Sequence, residues 1–353
     1  MTRAALVGAP ADARASTPPP RPARTGSSLV DNRYQRPERL LSDPPRSSAV
    51  SEEESAVKHS ARTRHRDRHV EGLRVRYREA GTPSSTAVVL LHGAPSSSYS
   101  FREVLPVLGE HAYAVAPDLP GFGFSDDPPE EYACIYQGLS HVIEALLDDL
   151  GVSRYVLFVT DYSTPVGYYM ATRHPERVLG LVVQNGNAHD AGLGRAWDSA
   201  RRFWADPTEE SRAALPEWLT FEGTRDTYLG GLPEEVAELH PPESWHLDWE
   251  HLARPGRTEV YFRFFQDYRN HVARFGEIAD YHATWQPPCM VLWGRHDPAF
   301  DIAEVLAYHR ALTTFQAHVF DGGHFLLETH AAEVAHLLVA FARDACERGA
   351  SAV

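Results

Sequence analysis

The sequence predicts an α/β fold: a mostly parallel sheet covered by helices on both faces, with a helical insertion near the carboxyl ends of its strands. Three observations predict it. From residue 69 onward, short continuous apolar runs alternate with segments of helical spacing. Residues 154–173, RYVLFVTDYSTPVGYYMATR, place a polar residue on a sharp turn between a buried strand and a helix. The alternation then stops for about a hundred residues, far longer than an ordinary loop.

Length and charge narrow the class. The chain has 353 residues and a formal net charge of -14. That length fits a single α/β unit with an insertion as well as it fits two domains. The acidic balance argues against nucleic acid or an anionic membrane as a partner. Cys134, Cys289 and Cys346 are odd in number and widely spaced, with neither a metal-ligand pattern nor a disulfide framework, so no metal site is expected and a reducing cytoplasm is the simplest location. No run of about 18 apolar residues exists to span a membrane.

Residues 1–67 are rich in Pro, Arg, Ser and Ala and lack lasting periodicity, as expected of a disordered extension. The Arg and Ser content resembles a transit peptide, but SEEES and the scattered acids count against one, and no apolar stretch marks a secretion signal. A solvated tail or an over-long start is the simpler reading.

The remaining elements follow in order. Residues 70–77 alternate about a turn and predict a hairpin. Residues 87–91 form an apolar strand ending in His92-Gly93-Ala94-Pro95, which presents backbone N–H groups where open α/β sheets bind ligands. A helix over 101–108 and a strand over 113–116 lead into the loop Gly121-Phe122-Gly123-Phe124-Ser125. That loop lacks the third glycine and the immediate helix of a phosphate-binding turn, so it reads as a structural turn. Val142, Ile143, Leu146, Leu147 and Leu150 set a helical stripe over 139–150, and 178–183 is another buried strand.

Residues 188–286 are polar, aromatic and helical in spacing, and hold every tryptophan except Trp293. Placed between two strands at their carboxyl ends, they would lie over the turn as a lid whose aromatics line an apolar pocket. Most of the tryptophans would form the insertion's own core, and a few would face substrate. The sheet resumes over 289–293, followed by Gly294-Arg295-His296-Asp297, a helix over 302–312, a strand over 317–320, Gly323-His324-Phe325 and a closing helix from about 332.

The turn after 155–159 has the spacing of a nucleophile elbow, with Val159-Thr160-Asp161-Tyr162-Ser163 in place of Gly-x-Ser-x-Gly. In this register Asp161 is the nucleophile and Ser163 the small turn residue, while Val159 departs from the expected glycine. The other register puts Ser163 at the tip, with Asp161 and Pro165 at the small positions. Aspartate at the tip has a chemical consequence. A serine attacking saturated carbon would form an ether that water cannot readily cleave, whereas an aspartate forms an ester that water can hydrolyse.

His92 to Pro95, the Asp161 elbow, Gly294 to Asp297 and Gly323 to Phe325 stand in the order of the α/β-hydrolase superfamily. Within it the chain resembles the aspartate-nucleophile branch, which includes epoxide hydrolases and haloalkane dehalogenases. The resemblance implies an α/β-hydrolase core over 68–187 and 287–353 and a cap over 188–286. It implies that His324 activates water while Asp297 orients it, and that the N–H groups of Ala94 and Tyr162 form the oxyanion hole. Some relatives carry the acid after the strand that follows the elbow, but Gln184-Asn185-Gly186-Asn187 offers no carboxylate there.

Two departures bear on the leaving group. Dehalogenase halide donors are a Trp directly after the nucleophile, often with an Asn in the His-Gly-Asn-Pro turn or another Trp in the lid; Tyr162 and Ala94 stand here instead, which leaves a lid tryptophan as the remaining candidate. Tyr268-Arg269-Asn270 resembles the segment that carries a ring-opening tyrosine in epoxide hydrolases, which makes Tyr268 the expected proton donor. Its companion is left between Tyr228 and Tyr261, because Arg202-Phe203-Trp204 has no tyrosine. Tyr261, Phe264, Phe265 and Tyr268 also read as an ordinary apolar stripe. His92, Trp204, Tyr228 and Tyr261 are the expected substrate contacts. The sequence expectation is therefore a cofactor-independent epoxide hydrolase, a monomer or homodimer, acting with water on a small apolar substrate. Alternatives are dehalogenation by the same route, ester or carbon–carbon hydrolysis through Ser163, and a non-catalytic binder.

Overall fold

The computed structural model describes residues 61–132 and 135–351. Residues 1–60 of the expected extension, and Cys134, lie outside these. The chain runs β1 (Arg64–Val70), β2 (Leu73–Ala80), β3 (Thr86–Leu90), α1 (Val104–Gly109), β4 (Tyr113–Pro117), α2 (Ile135–Asp149), β5 (Arg154–Thr160), α3 (Ser163–Arg173) and β6 (Val178–Gln184). The insertion follows as α4 (Asp198–Ala205), α5 (Glu209–Ala213), α6 (Phe221–Leu229), α7 (Glu234–Ala237), α8 (Pro242–Leu252), α9 (Arg257–Ala273) and α10 (Phe275–Trp285). The chain closes with β7 (Cys289–Gly294), α11 (Ala303–Ala311), β8 (Phe315–Phe320) and α12 (Leu327–Ser351).

The eight strands form one sheet in the order β1-β2-β4-β3-β5-β6-β7-β8, in which β2 runs antiparallel to both of its neighbours, β1 and β4, and every other pairing is parallel. β5 is central and buried on both faces. Tyr155, Leu157 and Val159 enter one core with α2 and α3, while Val156 and Phe158 enter the other with α1 and α12. A strand covered on both sides must be apolar at every position, which is why 155–159 shows no alternation. The chain leaves β3 toward β4 and returns on the other side as β5, so the carboxyl ends of β3 and β5 form a topological switch point, where open α/β sheets bind ligands.

The hairpin is longer than its apolar residues indicate. Residues 64–67, assigned above to the extension, belong to β1 and pair with 76–79 of β2. β1 is an exposed edge strand and is charged accordingly: Asp67 pairs with Arg74 and Arg76, and Glu79 with Arg64 and Arg66. Among the described residues, no helix is long and apolar enough to cross a membrane.

Candidate active site

Asp161 sits between β5 and α3 with φ of 45°. This left-handed conformation costs a non-glycine residue on the order of 1–3 kcal/mol and persists only where its surroundings enforce it. The Asp161 N–H donates to Asn185 O at 3.2 Å, and its carbonyl accepts from Thr164 N at 2.9 Å. Ser163 is fully buried beneath the turn; its hydroxyl lies 2.8 Å from the carbonyls of Leu91 and Thr160 and accepts the Thr160 N–H at 2.9 Å. It therefore ties the elbow to β3 and does not face the cavity. Val159 fits because α3 supplies the missing space: a Cβ on Gly167 would stand 2.3 Å from Val159 Cγ1.

The Asp161 side chain lies under the β3 loop. Oδ2 accepts the Ala94 N–H at 2.7 Å, and the backbone N–H of Tyr162 is a second donor to the carboxylate. Gly93 permits the approach, since a Cβ there would be 2.7 Å from Asp161 Cβ. Burial pushes the Asp161 pKa up, and the charge of His324 with the two N–H donors only partly holds it down.

His324 follows β8 and donates through Nδ1 to Asp297 Oδ2 at 2.8 Å. Asp297, on the loop after β7, has its other contacts filled: Oδ1 accepts the N–H groups of Ala299 (2.6 Å) and Phe300 (3.1 Å), and Oδ2 accepts Asn185 Nδ2 (2.8 Å). Burial opposes a charge on His324, but the charge and hydrogen bond of Asp297, with Asp161, outweigh it and raise its pKa to about 9. Asn185 was not singled out from the sequence; its place beside the possible alternative acid position was the available signal.

Asp161, Tyr162, Ala94 and His324 share the wall of a cavity of about 540 Å³, between the sheet and the cap, with Tyr261, Trp197, Trp218 and Phe265. Of the expected substrate contacts, Tyr261 is in this wall, and its hydroxyl donates to Pro95 O at 2.9 Å. The other three are not. His92 is fully buried, with Nδ1 bonding Gly93 O and Nε2 accepting the Leu119 N–H, both at 2.9 Å, so it fixes the loop. Trp204 donates its indole N–H to Phe265 O at 3.2 Å and stacks on Tyr268 in the cap core. Tyr228 donates to Asp248 Oδ2 at 2.5 Å and stacks on Phe325.

Tyr268 is also outside this wall. It packs between Trp197 and Tyr162, with ring centroids 4.8 and 5.7 Å away, and its hydroxyl donates to Asn187 Oδ1. Of the cap tryptophans, Trp197 and Trp218 line the cavity, whereas Trp285 is exposed at the surface. The Gly121–Ser125 loop is a turn wrapped on Asp118, which accepts the N–H groups of Ser98 and Phe124, each at 2.9 Å.

What fold and site define together is a class, the α/β hydrolases. The model of the alpha/beta hydrolase fold family matches residues 86–331, and the chain belongs to that family. It is 34% identical over 274 residues to an uncharacterized hydrolase of Saccharomyces cerevisiae, covering 76% of this chain and 93% of that protein. It is 28% identical to a haloalkane dehalogenase of Psychrobacter cryohalolentis, covering 77% of this chain and 88% of the relative. Epoxide hydrolase 3 of Mus musculus is 25% identical, over 77% of this chain and 75% of its own length.

Proposed function

We propose that the protein is an epoxide hydrolase that works through a covalent ester on Asp161. The observation that carries this reading is the Asp161 carboxylate itself, with Oδ2 held by the Ala94 N–H at 2.7 Å and His324 in the same cavity wall. In the first step the other carboxylate oxygen attacks a ring carbon, the C–O bond of the epoxide breaks, and a tyrosine gives its proton to the departing oxygen. In the second, His324 takes a proton from water. The hydroxide adds to the ester carbon of Asp161, the oxyanion rests on the Ala94 and Tyr162 N–H groups, and as it collapses His324 returns its proton to the departing alkoxide; the diol leaves, and the proton left on the Asp161 carboxyl returns through solvent to the tyrosinate as the carboxylate reforms.

The proton donor is reassigned. Tyr268 is held by Asn187, whereas Tyr261 stands in the cavity wall and has only the Pro95 carbonyl to give up when substrate arrives. Tyr261 is therefore the first-choice acid. The substrate is apolar and neutral or cationic: among the described residues no Lys or Arg lines the cavity, and Glu217, Glu222 and Asp226 do.

Halide displacement is a second reading, supported by Trp218. It lines the cavity, and its indole N–H has no hydrogen bond among the described residues. One experiment tests both. In His324→Gln the ester should persist, and intact-mass spectrometry should find Asp161 heavier by the whole mass of an epoxide. A gain of only the alkyl group, with halide released, would replace the epoxide reading, and absence of any adduct in the presence of consumed substrate would remove the covalent route.

A further inference from the structure

A polar pair interrupts the core under His324. On the face of the sheet that packs against α1 and α12, β5 presents Val156 and Phe158 and β6 presents Val182, all in one apolar cluster. The same alternation brings Thr160 and Gln184 to that face, and they are partners in the β5–β6 register. A strand covered on both sides is apolar by rule, and a polar group placed there is costly unless it is partnered. Part of Gln184 is accounted for: Nε2 donates to His324 O at 2.7 Å and to Asn185 Oδ1 at 3.2 Å. Its Oε1 and the Thr160 hydroxyl have no hydrogen bond among the described residues, although the two residues are only 3% and 9% exposed.

Both residues line a second cavity, of about 20 Å³, together with Gly93, Phe101, His324 and Glu328. That is room for about one water, which needs roughly two to four polar partners. Glu328 is already held by Arg102 and Ser244, so the unmet groups are Thr160 Oγ1 and Gln184 Oε1. The cavity also adjoins the reacting groups. His324 stands in its wall and in that of the larger cavity, Thr160 precedes Asp161, and a Cβ on Gly93 would lie 2.7 Å from Asp161 Cβ. Once an alkyl group is bound to Asp161 it fills the larger cavity, and water for the second step has a shorter way in from this side. We infer that Thr160 and Gln184 hold a water beside His324, and that this is the water consumed in ester hydrolysis. One of its O–H bonds breaks, the proton goes to His324, and the hydroxide adds to the ester carbon of Asp161.

The water site stands on the cavity; its part in the reaction rests on the ester mechanism above. A crystal structure of the natural sequence should show one ordered water bonded to Thr160 Oγ1 and Gln184 Oε1, and a dry cavity there overturns the inference. Rapid-quench mass spectrometry with styrene oxide then follows the Asp161 ester in the natural sequence, Thr160→Val, Thr160→Ile and Thr160→Ser. Thr160→Val keeps the shape without the hydroxyl, and Thr160→Ile also fills the cavity. Both should slow ester hydrolysis by about tenfold to a hundredfold, as a misplaced reactant does. Ester formation should be spared, so kcat and KM fall together while kcat/KM stays within about twofold. Thr160→Ser should recover hydrolysis to within about threefold. Unchanged ester lifetimes in Thr160→Val and Thr160→Ile overturn the inference, and so does equal slowing of both steps, which a merely structural role would give. If His324→Gln never forms an ester, the covalent mechanism falls, and the crystal structure still decides the water site.

Discussion

The two sides of the cavity are built on different terms. On the sheet side the groups proposed to react are already engaged: the Asp161 carboxylate accepts the Ala94 N–H, and Asp297 is saturated by His324, Asn185, Ala299 and Phe300. On the cap side most polar hydrogens point elsewhere. Trp197 donates to Ala299 O, Trp204 to Phe265 O, Tyr261 to Pro95 O and Tyr268 to Asn187. In the proposed mechanism the sheet side would form and hydrolyse an ester without rearranging, while an oxygen protonated by Tyr261 would have to displace the hydrogen bond to Pro95 O. On the proposed reading, the reaction class is set by the sheet side and the substrate by the side that has to yield.

Breaking the cap side should have the largest selective effect. Tyr261→Phe is expected to slow ring opening by about 100-fold, the usual worth of a positioned general acid, while Tyr268→Phe has a smaller effect. Single-turnover rates of ester formation measure this, and a larger loss in Tyr268→Phe would return the proton to Tyr268.

On the sheet side the comparison is sharpened by pH. His324 is raised to about 9 by Asp297 and Asp161 against burial. In the proposed mechanism Asp161 becomes a neutral ester, which would remove one of those two charges and make His324 a base nearer neutral pH at the point where water must be activated. NMR titration should therefore find the His324 pKa lower in Asp161→Asn than in the natural sequence; an equal value would separate the two groups. Because the folded value lies above the unfolded one of about 6.5, the stability this histidine contributes is full below that pH and is lost as pH rises through about 9.

The smallest effect is expected at Ser163. Ser163→Ala should keep turnover and lose about 1–2 kcal/mol of stability in urea unfolding, as when a buried backbone group is left without its partner. Loss of turnover with stability intact would revive Ser163 as the nucleophile.

The same division explains what could be read from the sequence. The elbow, the loops at 92–95 and 294–297, and Gly323-His324 are local patterns fixed by strand ends and turns, so residue type and spacing carry them. The tolerance of Val159 was not legible, because its cause is Gly167 on the facing helix. Neither were the roles of Tyr261 and Tyr268. They lie two turns apart on α9, and periodicity gives both the same face, but their hydroxyls are claimed by Pro95 and Asn187, 166 and 81 residues away in sequence. The string at 64–67 shares the tail's lack of apolar periodicity, because an exposed edge strand carries charge in place of it.

The central claim is that Asp161 becomes an ester whose carbonyl carbon, not the substrate carbon, is attacked by water. A single turnover in ¹⁸O-labelled water, followed by peptide mass spectrometry, tests it directly. The account predicts one heavy oxygen in the side chain of Asp161 and none in the first diol released; heavy oxygen in that diol, with Asp161 unlabelled, would contradict it.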